Sequence, residues 1–186
     1  MSLLLITPPA EEPVSLAEMK THLRVTGVSE DTGVSAYLSA ARRAVEARGG
    51  LALISQQWRL TLDRPPQALL TLPRSPVFAV DSIAVVGRDG DVEEVDPDLY
   101  DIETGAVGRI RAAGVWPYSR KLMGGVRIDF SAGWVDAASA PEELKLAVKM
   151  LAAHFYESRE AALPERLFAV PQAVDALIAP YRQVRL

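Results

Sequence analysis

Apolar residues recur at helical spacing near both ends of the chain and alternate with polar ones through its middle. The clearest helical stripe is Leu144, Val148, Leu151 and Phe155, with Ala147 and Ala152 beside it, inside the stretch 141–159. Glu142, Lys145, Lys149 and Glu157 fall on other faces. The spacing therefore predicts an amphipathic helix with one buried side. Pro141 suits the first helical position, having no N–H to leave unpaired. Glu142 and Glu143 place negative charge at the positive end of the helix dipole.

Two further helices precede it. Ser15 and Glu18 have the spacing of a reciprocal capping box, and Val14 and Met19 sit where a hydrophobic staple closes. That helix runs to about Arg24 and buries Leu16, Met19 and Leu23. The second spans about 32–48, with Val34, Leu38, Ala41 and Val45 as its stripe and Tyr37 alongside; Gly49 and Gly50 end it. Residues 1–13, rich in proline and acid, read as an extended arm. A last, shorter helix is expected over 171–181, with Val174, Leu177, Ile178 and Tyr181 on one face. Leu163–Pro164 interrupts any helix before it.

Between the helices the period falls to two. Trp58, Leu60 and Leu62 alternate with Gln57, Arg59 and Thr61, as in a half-buried strand. Short strands are expected at 68–72 and 92–95 and a longer one over 77–86, with a turn at Gly87–Arg88–Asp89–Gly90. Pro97–Tyr100 reads as a turn into a strand at 100–102, and 105–110 as another short hairpin. Val126, Ile128 and Phe130 alternate with Arg127, Asp129 and Ser131 in a final strand. The fold class is α+β: a small α-helical bundle of two N-terminal helices and a long C-terminal one, with an inserted antiparallel β-rich region. We expect one domain over 1–186, the insertion spanning 53–134.

Composition narrows the function classes. The chain has 186 residues, 49% hydrophobic and 24% charged, an ordinary globular balance. A net charge of −4 gives no sign of a nucleic-acid coat. The absence of cysteine excludes disulfides, thiol nucleophiles and cysteine-ligated metals. No apolar run approaches the roughly 20 residues that cross a bilayer. The start, MSLLLITPP, lacks a basic region and reads as mature protein made in a cytoplasm.

Candidate chemistry is sparse. His22 and His154 each lie beside a core residue, and neither has a second histidine at i+4. His154 with Glu157 has the spacing for general acid/base work, though a histidine at the core boundary is the plainer reading. Glu93, Glu94, Asp96 and Asp98 lack the glycine and terminal glutamate of a calcium loop. Phosphate-loop, dinucleotide and nucleophile-elbow patterns are absent. Arg42, Arg43 and Arg48 could track phosphates, but a salt-bridged helix face explains them more simply. Trp58, Trp116 and Trp134 suit core or interface anchoring. No catalytic, metal or cofactor site emerges.

The order of motifs resembles a known family. The opening helix carries Ser15-Leu16-x-Glu18-x-Lys20-x-His22-Leu23-Arg24-Val25, and the helix-to-strand junction runs from Ala44 through Gly49–Gly50 to Trp58 and Leu62. Leu72–Val77 gives a proline corner and Asp98–Tyr100 a later turn. Phe130–Trp134, Pro141–Lys145, His154–Arg159 and Val174–Arg182 complete the series. Together they resemble the head–tail connector (neck adaptor) proteins of long-tailed bacteriophages, prophages and gene transfer agents. The resemblance implies a structural virion protein, made in the bacterial host cytoplasm, with no enzymatic activity and no cofactor. It implies a homo-oligomeric ring of about a dozen copies, a dodecamer, beneath the portal of the DNA-filled head. The ring would extend the DNA channel and meet the portal protein on one side and a stopper or tail-completion protein on the other. Genomic DNA would pass through without specific binding, and no membrane is involved.

Within that picture 163–186 is expected to dock on the portal, through Leu177, Ile178, Tyr181, Arg182 and Arg185. Contacts between subunits are expected from Arg42, Arg43, Trp116, His154 and Glu157. Three alternatives stand beside it: another neck or tail-completion protein of the same particle, a small hydrolase using His154 and Glu157, and a DNA-binding accessory protein using Arg42, Arg43 and Arg48.

Overall fold

The computed structural model describes residues 1–67, 69–119, 121–158 and 171–182. The chain divides into a β unit, Met1–Pro9 with Ser55–Gly133, and a helical unit, Ala10–Ile54 with Trp134–Leu186. The N-terminal strand belongs to the β unit.

The β unit holds a five-stranded antiparallel sheet. Its strands are β1 (Ser2–Thr7), β2 (Gln56–Leu62), β4 (Val77–Val86), β5 (Val92–Glu94) and β8 (Val126–Ala132), in the order β1-β2-β8-β4-β5. Period-two sequence becomes a two-faced sheet. Trp58, Leu60 and Leu62 of β2 and Val126, Ile128 and Phe130 of β8 are buried, while Arg59 and Asp129 face partly outward. Leu60, Ile128 and Ile83 pair across three strands in one buried row. Each such side chain contributes about 1.5–3 kcal/mol by leaving water. On the other face, Arg59 forks onto Asp129 through two 2.7 Å hydrogen bonds.

Two register shifts against β8 interrupt β4 before Ser82. Beyond them the pairing is regular, and Ile83–Val86 are all buried because both faces of this stretch are covered. A second sheet has the order β3-β7-β6, from β3 (Leu70–Thr71), β6 (Tyr100–Glu103) and β7 (Arg109–Ala112). A 3-10 turn, Pro97–Leu99, leads into β6.

Three expectations for this unit need correction. The N-terminal arm is a strand, paired with β2 from Ser2 to Thr7. The candidate at 68–72 shortens to Leu70–Thr71, with Ala68 outside the described residues. The later hairpin is made by β6 and β7, with 104–108 as its connection.

The helical unit comprises α1 (Leu16–Leu23), α2 (Asp31–Gly49), α3 (Glu142–Glu157) and α4 (Gln172–Ile178). The capping box forms in full: Ser15 Oγ accepts from the Glu18 N–H, and the Glu18 carboxylate accepts from the Ser15 N–H. The Ser15 hydroxyl also donates to the Glu18 carboxylate at 2.7 Å. This bond first, then the one from the Ser15 N–H, holds the Glu18 carboxyl below its usual range. Gly50 ends α2 in the left-handed region, at φ 67°, where glycine carries no Cβ penalty. Pro141 is the N-cap of α3 rather than its first turn, with ψ at 135°. The stripes of all four helices meet in one core of Met19, Val34, Leu38, Val45, Leu144, Val148, Leu151, Val174 and Ile178, all at most 2% exposed. Arg159 and Leu163–Pro164 lie outside the described residues.

Candidate interaction surfaces

α2 carries two charged residues inside its buried stripe. Arg42 lies four residues after Leu38, and Glu46 four after Arg42, so both share the buried face. Arg42 donates from Nε to Glu12 at 2.7 Å and from Nη1 to Glu46 at 2.8 Å. The other Glu46 oxygen accepts from the Leu53 N–H at 3.0 Å. A guanidinium fork can bridge two carboxylates in this way because its donors are fixed in a plane. The group ties the residues before α1 and the residues after α2 to the middle of α2. Arg42 is therefore spent within the subunit; its neighbour Arg43 is exposed.

α4 is clamped onto the core. Val174 and Ile178 are fully buried, and Leu177 and Tyr181 pack against the same cluster. Arg48 grips Asp175 by two hydrogen bonds, of 3.0 and 2.9 Å, and Arg182 adds a third at 2.8 Å. These guanidiniums, Arg48 first, hold the Asp175 carboxyl below its usual range. Tyr181 donates its hydroxyl to Glu143 at 3.1 Å, and burial, followed by this carboxylate, pushes its phenol up. Among the residues expected to meet a portal, Ile178 thus has no accessible surface. Leu177 and Tyr181 are half-buried, Arg182 is exposed, and Arg185 lies outside the described residues.

His154 is half-buried on α3, and its Nε2 has no hydrogen-bond partner among the described residues. It makes no hydrogen bond to the exposed Glu157, so the pair is not assembled for acid/base work. Of the three arginines in the DNA-binding alternative, Arg42 and Arg48 are neutralised by carboxylates. Among the described residues no group of three or more histidines and carboxylates converges to hold a metal, and no helix is long and apolar enough to cross a membrane.

Trp116, expected between subunits, is buried in the β unit. Its Nε1 donates to the Leu99 carbonyl at 3.0 Å, and its ring meets Tyr100 edge-on. It anchors the long loop 113–125 between β7 and β8. The exposed apolar residues of that loop, Val115, Tyr118, Leu122 and Met123, were not singled out from the sequence. Their only signal is several large apolar residues in a stretch with neither helical nor alternating period. Exposed carboxylates gather elsewhere on the unit, along β5 and β6.

Comparison with known proteins gives this geometry a context. The profile of the head completion protein family matches residues 12–184. The structure is similar to a chain in the neck of an empty gene transfer agent particle, reconstructed with C6 symmetry, with a TM-score of 0.84 and 33% identity. It is also similar to a chain of the native gene transfer agent virion, with a TM-score of 0.81 and 34% identity. A third match is the neck of the native particle with C12 symmetry, with a TM-score of 0.81 and 33% identity. Each match covers 100% of this chain and 97% of the other. No curated protein sequence matches.

Proposed function

Because the chain belongs to the head completion protein family, we propose that it is the ring-forming adaptor that joins the portal of the DNA-filled head to the tail and extends the DNA channel. It is a structural rather than a catalytic protein, of the neck of a gene transfer agent particle. The observation that carries the adaptor reading is the full-length likeness to chains of such a neck, covering 97% of each. A ring of twelve satisfies both symmetries reported for those necks, since a twelve-fold axis contains a six-fold one.

Physical features agree with that role. Each subunit carries a net charge of −4, so a ring of them is acidic and repels DNA rather than gripping it. The portal lies on one side and a stopper or tail-completion protein on the other. The portal contact is assigned to 163–186, with Leu177, Tyr181, Arg182 and Arg185 as its candidate residues. Arg43, His154 and Glu157 remain candidates for contact between subunits.

The test is a producing strain that lacks this chain. Filled heads without tails are expected by electron microscopy, and heads that still carry tails at the normal frequency would refute the adaptor role. Removing only residues 183–186 should give the same tailless heads or heads that lack this chain. The longer removal from Pro171 is uninformative, because it strips Val174 and Ile178 from the core.

A further inference from the structure

We infer that the loop 113–125 of one subunit is a knob that docks on the acidic strand edge of the next copy around the ring. This rests on the ring proposed above. The loop's described residues, 113–119 and 121–125, are tied down rather than slack. Trp116 is 5% exposed and fixed to the Leu99 carbonyl. Ser119 Oγ donates to the Val86 carbonyl at 2.7 Å and accepts from the Lys121 N–H at 3.1 Å. The Gly124 N–H donates to Asp63 at 2.9 Å. At Gly125 a Cβ would lie 2.7 Å from Ser119 Oγ and 3.0 Å from the Asp63 carbonyl oxygen, so the return into β8 is tightly packed.

From this frame Val115, Tyr118, Leu122 and Met123 stand out, exposed at 91, 87, 88 and 77%. Single exposed apolar residues are ordinary, but four large ones on one tethered loop mark a contact surface. A loop ordered in advance loses little entropy on docking.

Charge chooses the occupant. Lys121 and Arg64, against the single carboxylate of Asp63, line a groove of about 420 Å³ beside Trp116 and Tyr118, which leaves it net cationic. On the same unit, β5 is the outer strand of its sheet, with Val92, Glu93 and Glu94 exposed. Asp101, Ile102 and Glu103 are exposed on β6, the edge of the smaller sheet, where Arg109 of β7 pairs with Glu103, so the acidity of the edge is strongest on β5. One chain therefore offers an apolar–cationic knob and an apolar–acidic edge. Ring closure needs two unlike patches that fit each other, whereas a two-fold dimer needs one self-matching patch. DNA would answer the cations but not Leu122, Met123 or Val115, so a second copy is the better partner.

The test places a photo-reactive benzophenone amino acid at Leu122 of the full chain in assembled particles. Illumination should give dimers and higher multimers of this chain, with the cross-link mapped to residues 92–103. Cross-links to DNA, to a portal-side or tail-side protein, or none at all, in necks that contain this chain, overturn the knob and leave the adaptor role standing. Necks that lack the chain overturn both. Independently, Lys121→Glu should cut the yield of DNA-transferring particles about tenfold, and adding Glu94→Lys should restore it. A double variant that is worse than the single one contradicts the pairing.

Discussion

Replacing Arg42 with alanine should destabilise the helical unit more than its place on a surface-like helix pattern suggests. The Arg42 side chain is 6% exposed and lies between Glu46, 7% exposed, and Glu12, 29% exposed. Removing the cation leaves a buried carboxylate without its countercharge, which costs about 3–5 kcal/mol. The lower end applies here, because Glu12 is partly solvated and Glu46 still accepts from the Leu53 N–H. With a urea slope of about 2 kcal/mol/M, a loss of about 3 kcal/mol lowers the midpoint by about 1.5 M. Urea titration followed by far-ultraviolet circular dichroism reads this directly, since helicity reports the unit concerned.

The double variant Arg42→Met/Glu46→Gln removes both charges and keeps an acceptor for Leu53. It should recover to within about 1 kcal/mol of the unaltered chain. An Arg42→Ala midpoint within about 0.3 M of the parent refutes the reasoning, given that slope. So does a double variant no better than the single one, because the cost would then not come from the stranded charge.

Ser15→Ala should cost about 1 kcal/mol by removing the α1 cap. The Glu18 carboxyl, held down mainly by Ser15, should titrate closer to its ordinary value by NMR. A Glu18 titration unchanged by the substitution contradicts the capping box. Asp175 gives a pH dependence. Its folded pKa is depressed, so its contribution to stability is complete above the unfolded value, near 4, and is lost as pH falls through the lower folded value. Asp175→Asn should therefore flatten the loss of stability below about pH 4 and lower stability at neutral pH. A parallel acid limb in the two proteins would show that the Arg48 and Arg182 contacts do not persist in solution.

Elements with strong local signals were legible in the sequence. The capping box at Ser15–Glu18, the glycine stop at Gly50 and the alternation of β2 and β8 each follow from one local rule, and each appears in the structure. β1 was hidden because Leu3, Leu4, Leu5 and Ile6 form a continuous apolar run closed by prolines, and its partner lies some fifty residues away. The β4 bulges were hidden because they arise from pairing with β8, which no local pattern encodes. The salt-bridged reading of Arg42 holds, but its burial was not legible from residue type; the i,i+4 spacing of Arg42 and Glu46 beside Leu38, Val45 and Gly49 is the signal that both face inward. Ile178 shows the converse. Its stripe with Val174 was seen, but a stripe reads the same whether its own core or a partner covers it.

The order β1-β2-β8-β4-β5 also sets a timetable for synthesis. Its central strand, β8, is made last, so β2 and β4 emerge from the ribosome with no mutual neighbour. Until residues 126–132 appear, each exposes an inner edge able to pair with another nascent chain. Insertion of β8 closes both edges in one step and joins two half-sheets into one. The chain therefore passes from an adhesive intermediate to a finished β unit within the last third of its translation. Crowded polysomes, rather than the folded protein, are where strand mispairing threatens its yield.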